Sequence, residues 1–264
     1  MKKRISLIQM DVAFAKPEEN YQRAVQLMEN AMKEKPDIIV FPETMNVGFF
    51  PKEGLSTLAD VDGEKTKEVF GAFASAHHVN IVAGSVANKK EGNIYNTLYV
   101  FNRLGEVVGA YDKVHGFTPS DEHHYFKGGN KVIHFSLDGI KCSCVICYDM
   151  RFPEFIRTAT LQGVDLMFIP AQWPLARKLH WVTLATARAI ENQMYVCAVN
   201  ACGYAGETKY GGNSLLINPW GEPICHMGTE EEIQTGEIDM EMIQGIRESI
   251  NIFRDRKPAY YKVD

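Results

Sequence analysis

The 264-residue chain has no uninterrupted apolar run near the roughly 18 residues that a membrane-spanning helix needs. It has no excess of basic charge either: 28 Lys and Arg stand against 33 Asp and Glu, a net charge of −5. Nucleic-acid binders usually carry a basic stripe, so the charge argues against that class. No Ser/Gly-rich stretch divides the chain, which reads as a single domain over 1–264. Cysteines are few, at 142, 144, 147, 197, 202 and 225. In a chain of this length without a secretion signal, reduced thiols in the cytoplasm are the expectation. The opening "MKKRISLIQMDVAF" imitates a signal through its basic residues. Gln9 and Asp11 break its apolar stretch, however, and it reads as a first strand over 4–10.

What is present is an alternation of strands and helices. Pro17 suits the first turn of a helix whose apolar face is Tyr21, Ala24, Val25, Met28 and Ala31. "PDIIVFPE" is a short strand stopped by Pro42, with Glu43 just past its end. A second helix follows, with Val69, Phe70 and Phe73 inward. Strands are predicted at 80–86, 95–101 and 106–111, the last two joined by a hairpin turn. Residues 112–130 form a long polar and aromatic loop, and loops of that length in a compact domain are usually functional. Asp138-Gly139 turns a hairpin that ends in "CSCVIC". Helices are expected at about 153–163 and 176–191, and strands at 194–200 and near 232–239. A hairpin over "GGNSLLINPWGEPI" lies between these strands. "VDLMFIPAQWP" repeats the pattern of "PDIIVFPE", a hint of two similar halves. The class is α/β, and two sheets packed together with helices outside would cover the short apolar strands.

Three polar residues are placed alike. Glu43, Lys113 and Cys147 each follow an apolar strand, and side chains at strand ends in α/β folds collect in a crevice. A carboxylate can take a thiol proton, and an ammonium favours both the resulting thiolate and the oxyanion formed when a carbonyl is attacked. Taken singly, each residue has a plainer reading: Glu43 and Lys113 as surface groups, Cys147 as a small buried hydrophobe.

The words around them carry more. "FPE" at 41–43, "YDKVH" at 111–115 and "CYDMRFPE" at 147–154 resemble, in order and spacing, the signature words of the nitrilase superfamily, the carbon–nitrogen hydrolases. The resemblance runs over nearly the whole chain. It implies a four-layer α-β-β-α sandwich and a Glu43–Lys113–Cys147 triad. Glu122 is the match for a second active-site glutamate, and Tyr148 would offer its backbone N–H to the oxyanion beside Lys113. No cofactor and no metal are expected, and the resemblance implies pairing as a homodimer through the helices that cover a sheet. Asp149 and Arg151 are expected to hold the turn by an internal ion pair.

Tyr148 stands where nitrilases usually carry Trp, which favours an amidase over a nitrilase. "PAQWPLARKLHW" and "ARAIENQ" are most similar to the omega-amidases, which release ammonia from 2-oxoglutaramate and 2-oxosuccinamate. Arg177 would then bind the far carboxylate, with Phe49 and Trp173 as pocket walls. Gly116 departs from the family word, suggesting a looser loop around Glu122. A nitrilase, or another carbon–nitrogen hydrolase such as a deaminated-glutathione amidase, is the alternative reading.

Two readings lie outside this class. A metal site is the first: Cys142, Cys144 and Cys147 crowd one segment, but strand alternation turns the first two away from the third and no matching His pair completes a tetrahedral set. A non-catalytic binding module on the same fold is opposed by the presence of all four expected catalytic side chains.

Overall fold

The computed structural model describes residues 1–261. Its strands, in chain order, are β1 (Lys2–Gln9), β2 (Ile38–Val40), β3 (Asp60–Val61), β4 (Asn80–Lys90), β5 (Asn93–Phe101), β6 (Val107–Asp112), β7 (His134–Leu137) and β8 (Ile140–Cys144). They continue with β9 (Leu166–Ala171), β10 (Tyr195–Asn200), β11 (Tyr204–Ala205), β12 (Thr208–Lys209), β13 (Leu215–Ile217), β14 (Pro223–His226) and β15 (Glu232–Asp239). One sheet runs β15-β1-β2-β4-β5-β6, with β3 beside β4; the other runs β14-β13-β10-β9-β8-β7.

Strand alternation explains the layers. Ile5 and Leu7 of β1, Ile38 and Val40 of β2, and Leu98 and Val100 of β5 share one core with Cys142, Leu166, Phe168 and Val196 of the second sheet. Their neighbours Ile8, Ile39, Tyr99 and Phe101 point the other way, onto Tyr21, Ala24, Met28, Phe70 and Phe73. Those five belong to the helix Pro17–Met32 and to a helical run from Glu64 to His77 that contains a π-helical stretch at Lys67–Gly71. On the far side, Ile156, Trp181, Ala185 and Ala189 cover the second sheet from the helices Pro153–Thr160 and Lys178–Asn192. The result is the expected α-β-β-α sandwich. Burying each large apolar side chain contributes about 1.5–3 kcal/mol, which is why central strands apolar on both faces need a packed layer on each side.

The hint of two halves also has a structural counterpart. In the first sheet β1, β2 and β4 run parallel and are flanked by antiparallel strands. In the second, β8, β9 and β10 do the same. The repeated apolar words form β2 and β9, the middle strand of each parallel trio. An element absent from the sequence reading is the helix Met240–Ser249, which starts directly from β15 and is capped by Asp239.

Candidate active site

Glu43 lies just beyond β2 because its segment is pinned to β4. Phe41 N–H donates to Val82 O at 3.0 Å, Ser85 N–H to Pro42 O at 3.2 Å, and Met45 N–H to Ser85 O at 2.8 Å. The Glu43 side chain is fully buried. It accepts hydrogen bonds from Lys113 Nζ at 2.8 Å, Asn96 Nδ2 at 2.9 Å and the Gln172 backbone N–H at 2.8 Å.

Lys113 follows β6 and is equally enclosed. Its ammonium donates to Glu43 Oε1 and to both oxygens of Glu122, each at 2.9 Å for the latter. Burial alone would lower its pKa, but the Glu122 and Glu43 carboxylates outweigh this and hold it well above the ordinary lysine value. Glu122 also accepts the Phe117 N–H at 2.7 Å and Asn96 Nδ2 at 3.3 Å. Gly116 lies close against this loop's His123. A β-carbon there would lie 3.2–3.3 Å from the His123 backbone, so glycine permits close packing beside Glu122.

Cys147 takes φ 47°, the left-handed region that side chains rarely occupy. It opens a short 3₁₀ turn, Cys147–Arg151, and the α-helix proper starts only at Pro153. The thiol therefore sits on that tight turn, ahead of the helix that follows. Burial, and next the Glu43 carboxylate, raise its pKa well above the usual thiol value, with Lys113 opposing. The protonated thiol is thus the favoured resting form. All six cysteines are free and buried.

Cys147 forms part of the lining of a cavity of about 140 Å³, together with Phe49, Phe117, Ser120, Tyr148, Arg151, Gln172, Trp173, Pro174, Arg177, Thr208 and Tyr210. Phe49, Tyr148, Trp173 and Arg177 are thus brought to one cavity with Cys147. The expected Asp149–Arg151 ion pair does not form. Asp149 is fully buried and bonds Tyr111 and His115, while Arg151 stacks over the Trp173 ring at 4.6 Å and meets His180 Nδ1 at 3.3 Å. The turn points the two side chains apart, one into the core and one into the cavity.

Asn96 and Gln172 were not anticipated. Both had a signal: Asn96 is polar within the apolar strand "YNTLYVF", and Gln172 follows β9 much as Glu43 follows β2. Among the described residues, no group of three or more His, Cys, Asp or Glu is placed to hold a metal ion. No helix there is long and apolar enough to cross a membrane.

A carbon–nitrogen hydrolase family model matches residues 4–248. The chain belongs to the carbon–nitrogen hydrolase family. Among relatives of this hydrolase, the 2-oxoglutaramate amidase of Bacillus subtilis (strain 168) is 42% identical over 98% of the chain and 100% of its own length. Omega-amidase YafV of Escherichia coli (strain K12) is 38% identical over 86% of this chain and 84% of its own. A CN-hydrolase superfamily protein from Xanthomonas campestris, solved with an arsenic adduct in its active site, superposes with a TM-score of 0.92 at 28% identity over the whole of both chains.

Proposed function

We propose that this hydrolase is an omega-amidase that cleaves a small linear amide with a carboxylate at its far end, with 2-oxoglutaramate or 2-oxosuccinamate as the substrate. The observation that carries the reading is a buried carboxylate–ammonium cluster beside a thiol, at a small cavity that also holds two guanidinium groups, Arg151 and Arg177. The names of the relatives point the same way.

In this reading Glu43 accepts the Cys147 proton as the sulfur attacks the amide carbonyl. Lys113 and the Tyr148 N–H hold the oxyanion. Two of the three Lys113 hydrogen bonds go to Glu122, so one can pass to the substrate oxygen while each carboxylate keeps a partner. The C–N bond then breaks, and the leaving nitrogen takes the proton from Glu43 and departs as ammonia. Water, deprotonated by Glu43, cleaves the thioester to release the acid and restore the thiol. Glu122 holds Lys113 in place. Phe49 and Trp173 wall the cavity, and Arg177 with Arg151 receives the distal carboxylate.

The chain works as one domain, as a cytoplasmic enzyme and as a homodimer. Exposed Leu161, Leu179 and Ile190, in and beside the helices covering the second sheet, support that pairing.

Ammonia release from a panel of amides and nitriles tests the reading. The 2-oxo dicarboxylic monoamides should react fastest, and Cys147→Ala should be folded and inert. Inert glutaramate-type amides together with a reactive nitrile would refute it.

A further inference from the structure

Asp149 is a buried carboxylate that the proposed reaction does not use. Its four hydrogen bonds all come from two segments. Oδ1 accepts the His115 backbone N–H at 2.9 Å and pairs with His115 Nδ1 at 2.7 Å. Oδ2 accepts the Tyr111 hydroxyl at 2.7 Å and the Ile146 backbone N–H at 3.0 Å. Tyr111 and His115 bracket Lys113 by two residues on each side, and Ile146 directly precedes Cys147. The Tyr111 hydroxyl in turn accepts the Val114 N–H at 3.3 Å.

We infer that Asp149 is a positioning residue that sets the distance between the Lys113 amine and the Cys147 sulfur. The inference rests on the amidase reading above. Lys113 follows β6 of the first sheet and Cys147 follows β8 of the second, and no hydrogen bond joins their side chains among those of the described residues. One carboxylate with two oxygens can satisfy both backbones at once; an amide cannot. Whichever way Asn is turned at position 149, its NH2 group faces the N–H of either His115 or Ile146. One segment is then released from the other. Displacements of about 1 Å at a reacting group can lower the rate about 100-fold without weakening substrate binding.

The test is Asp149→Asn, assayed on the best amide well below its melting midpoint, after the wild type is shown to be active. A folded variant should lose about 100-fold in kcat with KM held within about twofold. Iodoacetamide alkylation of Cys147, which needs no turnover, should slow about 10-fold as the sulfur drifts from Glu43. A purely structural role would lower the melting midpoint and leave both readouts near wild type. A kcat within about threefold of wild type, or a loss confined to KM, overturns the inference. If Asp149→Asn does not fold, Tyr111→Phe decides. It removes one bond of the bridge, and kcat should fall about 10-fold at constant KM; unchanged kcat overturns the inference. A wild type inert on every amide would instead refute the amidase reading, and the alkylation rates would still judge Asp149.

Discussion

Cys147 is held in a left-handed backbone conformation, at a cost of about 1–3 kcal/mol that the surrounding contacts offset. The sequence shows the residues of that turn but not its backbone angle, because nothing in "CYDMR" demands positive φ as a glycine would. The same limit explains the Asp149–Arg151 error: two opposite charges two residues apart suggest a pair, and only the turn geometry separates them. Arg151 thereby becomes a second cation in the cavity beside Arg177. Each has an aromatic partner, Trp173 for Arg151 and Phe117 at 5.3 Å for Arg177. If both receive the distal carboxylate, Arg177→Gln and Arg151→Gln should each raise KM for a carboxylate-bearing amide by about 10-fold or more. A charge-assisted hydrogen bond is worth about 1.5–3 kcal/mol. Steady-state kinetics against an uncharged amide of the same length gives the control, whose KM should barely move. Equal effects on both substrates would remove these residues from carboxylate recognition.

The central strands were legible as short apolar runs because both their faces are buried, and the hairpin turn at Asp138-Gly139 carries its own signature, with φ 49° and 85°. The strand read at 80–86 in fact continues to Lys90 as β4 and turns at Glu91-Gly92 into β5. Its polar end, "ANKK", hid the extension. β4 also has an irregularity between Val82 and Ser85, and Gly84 sits inside it at φ 66°. This kink brings β4 against the Glu43 segment so closely that a β-carbon on Gly84 would lie 1.9 Å from Pro42 O. Backbone is rigid compared with a side-chain tip, so the clash must move the 41–45 segment. Gly84→Ala should therefore destabilise the fold by about 2 kcal/mol or more and reduce kcat strongly, since Glu43 moves with Pro42. Gly92→Ala is the comparison: it has positive φ but nothing within 4 Å of its β-carbon, so only the modest strain of that conformation applies. Urea unfolding and kcat on both variants check this; equal losses would mean that the close approach at Gly84 has no particular consequence.

Across the whole molecule, the two sheets come together at the candidate site around Glu43, Lys113 and Cys147, and they meet again through a cluster of charges. Asp138, in the β7–β8 turn of the second sheet, bonds Arg103 Nε at 2.9 Å and Lys3 Nζ at 2.8 Å. Arg103 and Lys3 belong to the first sheet's side and also reach Asp37, at 2.6 and 3.4 Å. Sequence reading saw Asp138 only as a turn residue, because the partners are distant in the chain and a turn needs no ion pair. The Arg103 hydrogen bonds, followed by Lys3, hold the Asp138 carboxyl well below the usual carboxylate range, against the opposing effect of burial. Depressed in the folded state, this group stabilises the protein fully above the unfolded Asp pKa of about 3.9. That stabilisation fades as pH falls from there toward the folded value. Partial exposure screens the cluster, so Asp138→Asn should cost only about 1–2 kcal/mol at pH 7. The gap between wild type and variant should shrink between about pH 4 and pH 2, and should narrow in high salt. Denaturant unfolding of both proteins at pH 7 and near pH 3 measures it. A gap that stays constant over that interval would mean that the charge on Asp138 does not fasten the sheets together.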